Sequence, residues 1–337
     1  MIGGWSVAPW LFGLLGVLAS LALAGAWRRH ALRQQWLDLP GERRLHGVPT
    51  PRGGGIAVAA VLLAATPGLG DGAALVAIGL LVTAGAGLID DLRPLPALPK
   101  LGLQCVGALP LALAWPLAPD LLGAWGGPVA AWLLVLALVN FWNFMDGSNG
   151  MAATQGLLVG GAMLLASGAA APEGWLGLAL VAGCLGFLPF NLPKARLFLG
   201  DVGSFAIGYA VAAMVLMAMS HDPGPALRWL LLPSVVLLDA GLTLLGRLWR
   251  RQRFWLAHRE HVYQRAVLHG WSHGAVCAVY AAWTLVAAVL VWALAGQPLA
   301  PQALALVLAA ALAVAVRAWA GQRWATVAGH ENDMESC

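Results

Sequence analysis

Apolar residues in this chain run in long uninterrupted stretches and do not alternate with polar ones at every second position. Lipid offers exposed peptide groups no hydrogen-bond partner, so only helices or closed barrels cross it, and a helix needs about 20 apolar residues to do so. A barrel requires short alternating segments, and none is visible. Windows of helical length predict about eleven spans, starting near residues 6, 53, 72, 101, 128, 151, 174, 199, 227, 275 and 300, the second and third of them short. The predicted fold class is all-α, a polytopic integral membrane helical bundle.

The polar positions between the spans orient it. With the N-terminus outside, the cytoplasmic connections hold every Lys and Arg except Arg228, of 19 in the chain. The positive-inside rule then predicts an N-out, C-in topology. A net charge of +4 and a pI near 9.2 follow from the same bias. Basic loops of this kind face anionic headgroups and need no nucleic-acid partner. Composition agrees: 60% of residues are apolar and 10% charged, against about 25% charged in soluble domains, with a mean hydropathy of +0.78. The first span has no basic residue before it and Arg28 and Arg29 after it, the reverse of a cleavable signal, so it is expected to remain as an anchor. Cys105, Cys184, Cys277 and Cys337 show no paired spacing and predict neither a disulfide framework nor a thiolate zinc site. Many of the 17 tryptophans lie near span ends, as interfacial belts require. Residues 1–328 read as one membrane-embedded domain and 329–337 as a disordered polar tail.

Polar chemistry collects on the cytoplasmic side. Asp90, Asp91, Asp146 and Asp201 all fall at cytoplasmic span ends, where an ionised carboxylate needs water, a cation or a metal. Each alone reads equally as a solvated helix end; four on one membrane face suggest a single site. In the stretch from His46 to Gly55, Pro49 and Pro51 stiffen the backbone. Gly53, Gly54 and Gly55 allow its N–H groups to approach an anion as the second span begins, although a helix-entry turn has the same composition. Asp90 and Asp91 point about 100° apart on a helix, so they are expected to do different jobs, and Lys100 offers a phosphate partner. Asn140, Asn143, Asp146 and Asn149 recur every three residues, close to one face, before Gly150. Their oxygen donors, with no soft ligand among them, suit a hard cation such as Mg²⁺. Asp201 lies among small residues at the mouth of the eighth span, one turn before Ser204. His258 and His261 flank Glu260 at the wrong spacing for a zinc protease, in a basic loop where Arg259 is best placed to grip an anion. Asp239, inside the ninth span after Pro233, reads best as hydrogen-bonded within the bundle.

These clusters, in this order, resemble the polyprenyl-phosphate N-acetylhexosamine-1-phosphate transferases. The residues that carry the likeness are Asp90-Asp91, Asn140-x-x-Asn143-x-x-Asp146-Gly-x-Asn149-Gly, Phe198-Leu-Gly-Asp201-x-Gly-Ser204 and His258-Arg-Glu-His261-x-Tyr-Gln, and the last is closest to the bacterial WbpL-like, O-antigen initiating branch. The resemblance implies a Mg-dependent enzyme of the bacterial inner membrane with its active site on the cytoplasmic face. Such an enzyme moves a sugar-1-phosphate from a UDP-sugar to undecaprenyl phosphate and releases UMP. It implies Mg²⁺ ligation by Asp201 with Asn143, and Asp90 and Asp91 at the phosphates. Lys100 and Arg259 would hold the diphosphate or sugar, and His258 and His261 would line the sugar-nucleotide pocket. Members often pair, so a homodimer is a possible assembly. Most bacterial members carry Asp where this chain has Asn149, which puts a carboxylate role there in doubt; the eukaryotic member has Asn, at a position associated with uracil recognition. The rival class is a secondary transporter or lipid flippase, which would place its site near the bilayer midplane on helices related by internal repeats; no repeat is visible.

Overall fold

A computed structural model describes residues 9–39, 47–222, 226–252 and 258–324; His46 and the predicted tail at 329–337 lie outside the described residues. Among the described residues twelve α-helices follow one another: α1 (Pro9–Arg33), α2 (Ile56–Ala65), α3 (Ala73–Leu92), α4 (Ala97–Ala114), α5 (Pro119–Met145), α6 (Met151–Ser167), α7 (Pro172–Asn191), α8 (Gly200–His221), α9 (Ser234–Trp249), α10 (Val262–Leu268), α11 (His273–Ala293) and α12 (Leu299–Arg323). Eleven of them stand where spans were predicted, and α10 is an additional short helix in the last basic loop. Eight helical runs are long and apolar enough to cross a membrane, with 56–92 as one of them. The chain is a multi-pass helical membrane protein.

The run 56–92 is a hairpin of two helices. Its first residues and its last both touch the beginning of α8: a Cβ on Gly55 would lie 2.1 Å from Gly203 Cα, and Asp91 accepts from the Asp201 amide. Expected to be short, α3 has 20 residues. By contrast α2 has only 10, about 15 Å of rise, and a 3-10 segment at 66–72 links it to α3. Here Trp175 Nε1 donates to the Ala65 carbonyl at 2.8 Å, and Thr66 and Leu69 are buried.

The axis of the bundle is α8, whose residues 202–218 are all buried. Lipid gives helices no hydrophobic reason to associate, so close packing depends on small residues that let backbones approach. Gly79 faces the Tyr209 hydroxyl, Gly87 the Asp201 carbonyl and Gly208 the Leu138 carbonyl, each so near that a Cβ would collide. At the other extreme α12 is largely lipid-facing, with Val307 62% exposed.

One polar loop is woven onto the start of α8. A two-residue antiparallel pairing, β1 (Leu37–Asp38) with β2 (Thr50–Pro51), closes the connection from α1 to α2. The Pro51 carbonyl accepts from Phe198 N (2.8 Å), while Gly54 N and Gly55 N donate to the carbonyls of Phe198 (2.9 Å) and Leu199 (2.7 Å). This corrects the expectation that Gly54 offers its amide to an anion. The glycines are required because neighbours occupy the space a side chain would fill: Trp27 at Gly53, Leu197 and Phe187 at Gly54, and Gly203 at Gly55. Gly55→Ala therefore presses a methyl group against backbone that cannot rotate away. We expect it to lower stability by about 3 kcal/mol, seen as a lower melting temperature in detergent. An unchanged melting temperature would show that α2 and α8 do not pack through these glycines.

Candidate active site

Helix ends build the site. The C-terminal ends of α3, α5 and α7 and the N-terminal ends of α4 and α8 meet at one pole, because the connections 93–96, 146–150 and 192–199 are too short to leave it. Asp90 ends α3 in a turn whose Leu95 amide donates to its Oδ1 at 2.7 Å. Lys100, in the first turn of α4, places its ammonium 3.2 Å from Asp90 Oδ2 and 3.2 Å from Asp201 Oδ2. Asn143 Nδ2 donates to the other Asp201 oxygen at 2.9 Å and to Ser204 Oγ at 3.0 Å. All three charged side chains keep some solvent access: 26% for Lys100, 15% for Asp90 and 22% for Asp201. A cation is thus held between two carboxylates at an open mouth.

Asp91 belongs to the framework of this mouth. It is 5% exposed, and both its oxygens accept from the first turn of α8, from Asp201 N at 3.0 Å and Val202 N at 3.1 Å. Helix N-termini leave their first amides without intrahelical acceptors, and a carboxylate there also meets the positive end of the helix dipole. Gly200, at φ +77°, is a required glycine, since a Cβ would stand 2.4 Å from Asp91 Oδ2. The adjacent carboxylates thus have the different surroundings that their 100° separation on a helix predicts.

The Asn-rich segment divides similarly. Asn140 lies deeper and bonds Gln104 Oε1 at 3.0 Å. Asn191 ties the neighbouring loops, accepting from Gly150 N and donating to the Leu197 carbonyl. Asn149 is half-buried in the turn before α6. Burial, followed by the charges of Asp201 and Asp91, holds the Asp146 carboxyl well above the ordinary range.

The histidine segment is a second unit at the same pole. Tyr263 donates its hydroxyl to the Phe144 carbonyl at 2.7 Å, and the His261 ring stacks on that of Phe144 with centroids 6.0 Å apart. His258 lies 5.0 Å from His261, ring to ring. Burial, with the positive charges of His261 and Arg247 added, pushes the His258 imidazole down to about 4, and burial lowers His261 as well. Both present neutral rings at neutral pH. Burial favours the protonated form of Glu260, yet the hydrogen bond and charge of Arg250, with the charge of Arg247, hold it below the usual carboxylate range. Arg259 is half-buried beside them. The sequence reads Asp239 as hydrogen-bonded within the bundle, as its bond from Tyr280 shows, but gives no sign that the same acid also holds this segment through the Val262 amide.

Among the described residues no three His, Cys, Asp or Glu side chains converge as a metal cage. The donors at the mouth still suit a small hard cation. Mg²⁺ typically takes one or two carboxylates and fills its octahedron with water and substrate phosphate, and Asp90 and Asp201 already hold the charge of Lys100 between them.

The family model for glycosyl transferase family 4 matches residues 73–219, which include Asp90, Asp91, Lys100, Asn143, Asp146, Asn149 and Asp201. The chain is 31% identical to the decaprenyl-phosphate N-acetylglucosaminephosphotransferase of Mycobacterium leprae, across 80% of this chain and 77% of that protein. It is 25% identical to the probable undecaprenyl-phosphate N-acetylglucosaminyl 1-phosphate transferase of Bacillus subtilis, across 77% of each. To the phospho-N-acetylmuramoyl-pentapeptide-transferase of Moorella thermoacetica it is 33% identical, across 51% of this chain and 52% of the other.

Proposed function

The chain belongs to glycosyl transferase family 4, and from that premise we propose that it transfers an N-acetylhexosamine-1-phosphate, 6-deoxy sugars included, from a UDP-sugar to undecaprenyl phosphate. UMP is released, and a lipid-linked glycan such as O-antigen is begun. The observation that carries this reading is the Lys100 ammonium held between Asp90 and Asp201 at the pole where the basic loops gather. The distribution of those loops supports a cytoplasmic pole, and the reading places the protein in a bacterial inner membrane.

In the proposed reaction an oxygen of the lipid phosphate attacks the sugar-bearing phosphorus of the donor. A new P–O bond forms as the bond to the UMP oxygen breaks, and the electron pair leaves with UMP. Charge develops on the diphosphate, and preorganised cations stabilise it best. Lys100, steadied by two carboxylates, meets the diphosphate without reorganising. Asp201 would hold Mg²⁺, with Asn143 beside it; the ion, when bound, neutralises the diphosphate and orients its oxygens. Of the two adjacent acids, Asp90 is assigned to the lipid phosphate, since both Asp91 oxygens are engaged by α8. Asn149 is assigned to the uracil, Arg259 to the donor phosphates, and the neutral His258 and His261 to the sugar.

The test is UMP release by detergent-solubilised protein given undecaprenyl phosphate with UDP-GlcNAc, UDP-FucNAc or UDP-QuiNAc, with Mg²⁺ or with EDTA. We expect release with at least one donor, dependent on both lipid and Mg²⁺. Release with none of them would overturn the reading and return weight to a transporter.

A further inference from the structure

Asp239 lies in the middle of α9, 8% exposed, and takes no part in the carboxylate cluster. A buried carboxylate is costly unless several donors satisfy it. The donors here come from elsewhere in the chain. Asp239 Oδ1 accepts from Val262 N at 3.0 Å, and Oδ2 from the Tyr280 hydroxyl at 2.5 Å and Tyr263 N at 3.5 Å. Val262 and Tyr263 are the first residues of α10, so a side chain of one helix caps the start of another. His261 immediately precedes that start, its Nδ1 3.9 Å from Asp239 Oδ1.

The acid is itself fixed from two further sides. Thr243 Oγ1 donates to the Asp239 carbonyl at 2.7 Å and accepts from Arg317 Nη1 of α12, also at 2.7 Å. Tyr280 belongs to α11. The segment leading into α10 is anchored separately, Glu260 pairing with Arg247 and Arg250 at the end of α9. Ordering a loop costs conformational entropy, which fixed partners offset. The Asp239 carboxylate of α9 meets the first amides of α10 and the Tyr280 hydroxyl of α11, while Arg317 of α12 braces the same helix through Thr243.

From this geometry we infer that Asp239 is a positioning residue for donor binding: through the α10 amides it sets His261, and with it His258, against Phe144 in the last turn of α5. The inference rests on the proposed transfer reaction for its kinetic consequence, and on local structure alone for its physical one. Three purified full-length variants test it, Asp239→Ala, Asp239→Asn and Tyr280→Phe. Asp239→Ala raises the KM for the UDP-sugar about tenfold or more, with the KM for undecaprenyl phosphate unchanged. Asp239→Asn, which keeps an oxygen for the Val262 amide, recovers part of that loss. Tyr280→Phe removes a single donor and shifts the same KM in the same direction by less. Hydrogen–deuterium exchange gives a reading independent of activity: amides 258–266 exchange faster in Asp239→Ala than in wild type, while α8 does not change. An unchanged donor KM, or both KM values rising together, would overturn the inference. So would unaltered exchange at 258–266, which decides the matter even if the wild-type protein releases no UMP and the proposed reaction falls.

Discussion

Asp201→Asn abolishes UMP release, a loss of about a thousandfold or more, in a protein that still inserts and melts as wild type does. Two observations separate the chemistry from the fold here. Asn replaces the carboxylate without changing its shape, and an oxygen remains to accept from Asn143 Nδ2. The charge is lost at the one point where Lys100 is shared with Asp90, and a neutral amide neither holds a divalent cation nor balances the ammonium. The backbone that fixes the residue is untouched, because Asp91 binds the amides of Asp201 and Val202 and not the Asp201 side chain. The comparison is UMP formed per minute per milligram beside the melting curve of the same preparation. Activity within tenfold of wild type would remove Asp201 from the reaction.

Much of the bundle was legible in the sequence because the bilayer enforces it. A run of apolar residues between polar connections has few structural outcomes, so the long helices start close to the predicted positions and the basic loops gather at one pole. The passages that did not read correctly are those that contacts between distant segments shape. The third span, expected to be short, has 20 residues, because α3 continues to the acids that meet α8. Hydropathy does not register such a contact. Nor does it register α10, seven residues in a polar loop whose start is set by an acid 23 positions earlier.

The candidate site shows a similar division. That Asp90, Asp91, Asp146 and Asp201 cluster at span ends is a property of the sequence; which partner each meets is not. Asp91 and the amide it caps are 110 residues apart, and no local spacing encodes such a pairing. The glycines at 53–55 are a clearer instance. A glycine that admits a phosphate and a glycine that admits another backbone look identical in a sequence. Only the presence of Gly203 against Gly55, with the Phe198 and Leu199 carbonyls on the amides, distinguishes them.

The adjacent acids give the sharpest contrast by mutation. Asp91→Ala leaves two buried amides of α8 without acceptors and removes the capping charge, a loss of about 2 kcal/mol or more, and we expect both a lower melting temperature and at least a hundredfold less transfer. Activity falls because α8 carries Asp201 on its first turn, and a small displacement there separates it from Lys100 and Asn143. Asp90→Ala behaves differently. The Leu95 amide it accepts from is on a half-buried turn near water, so the expected stability change stays within about 1 kcal/mol, while transfer falls as far as in Asp201→Asn. Gly200→Ala should copy Asp91→Ala in both measurements, because its methyl group would occupy the position of the Asp91 carboxylate. Melting temperature and UMP release, measured on the same three preparations, distinguish the two acids. If Asp91→Ala lost transfer and kept its melting temperature, Asp91 would have to act on the phosphates directly, and α8 would need another anchor for its first turn.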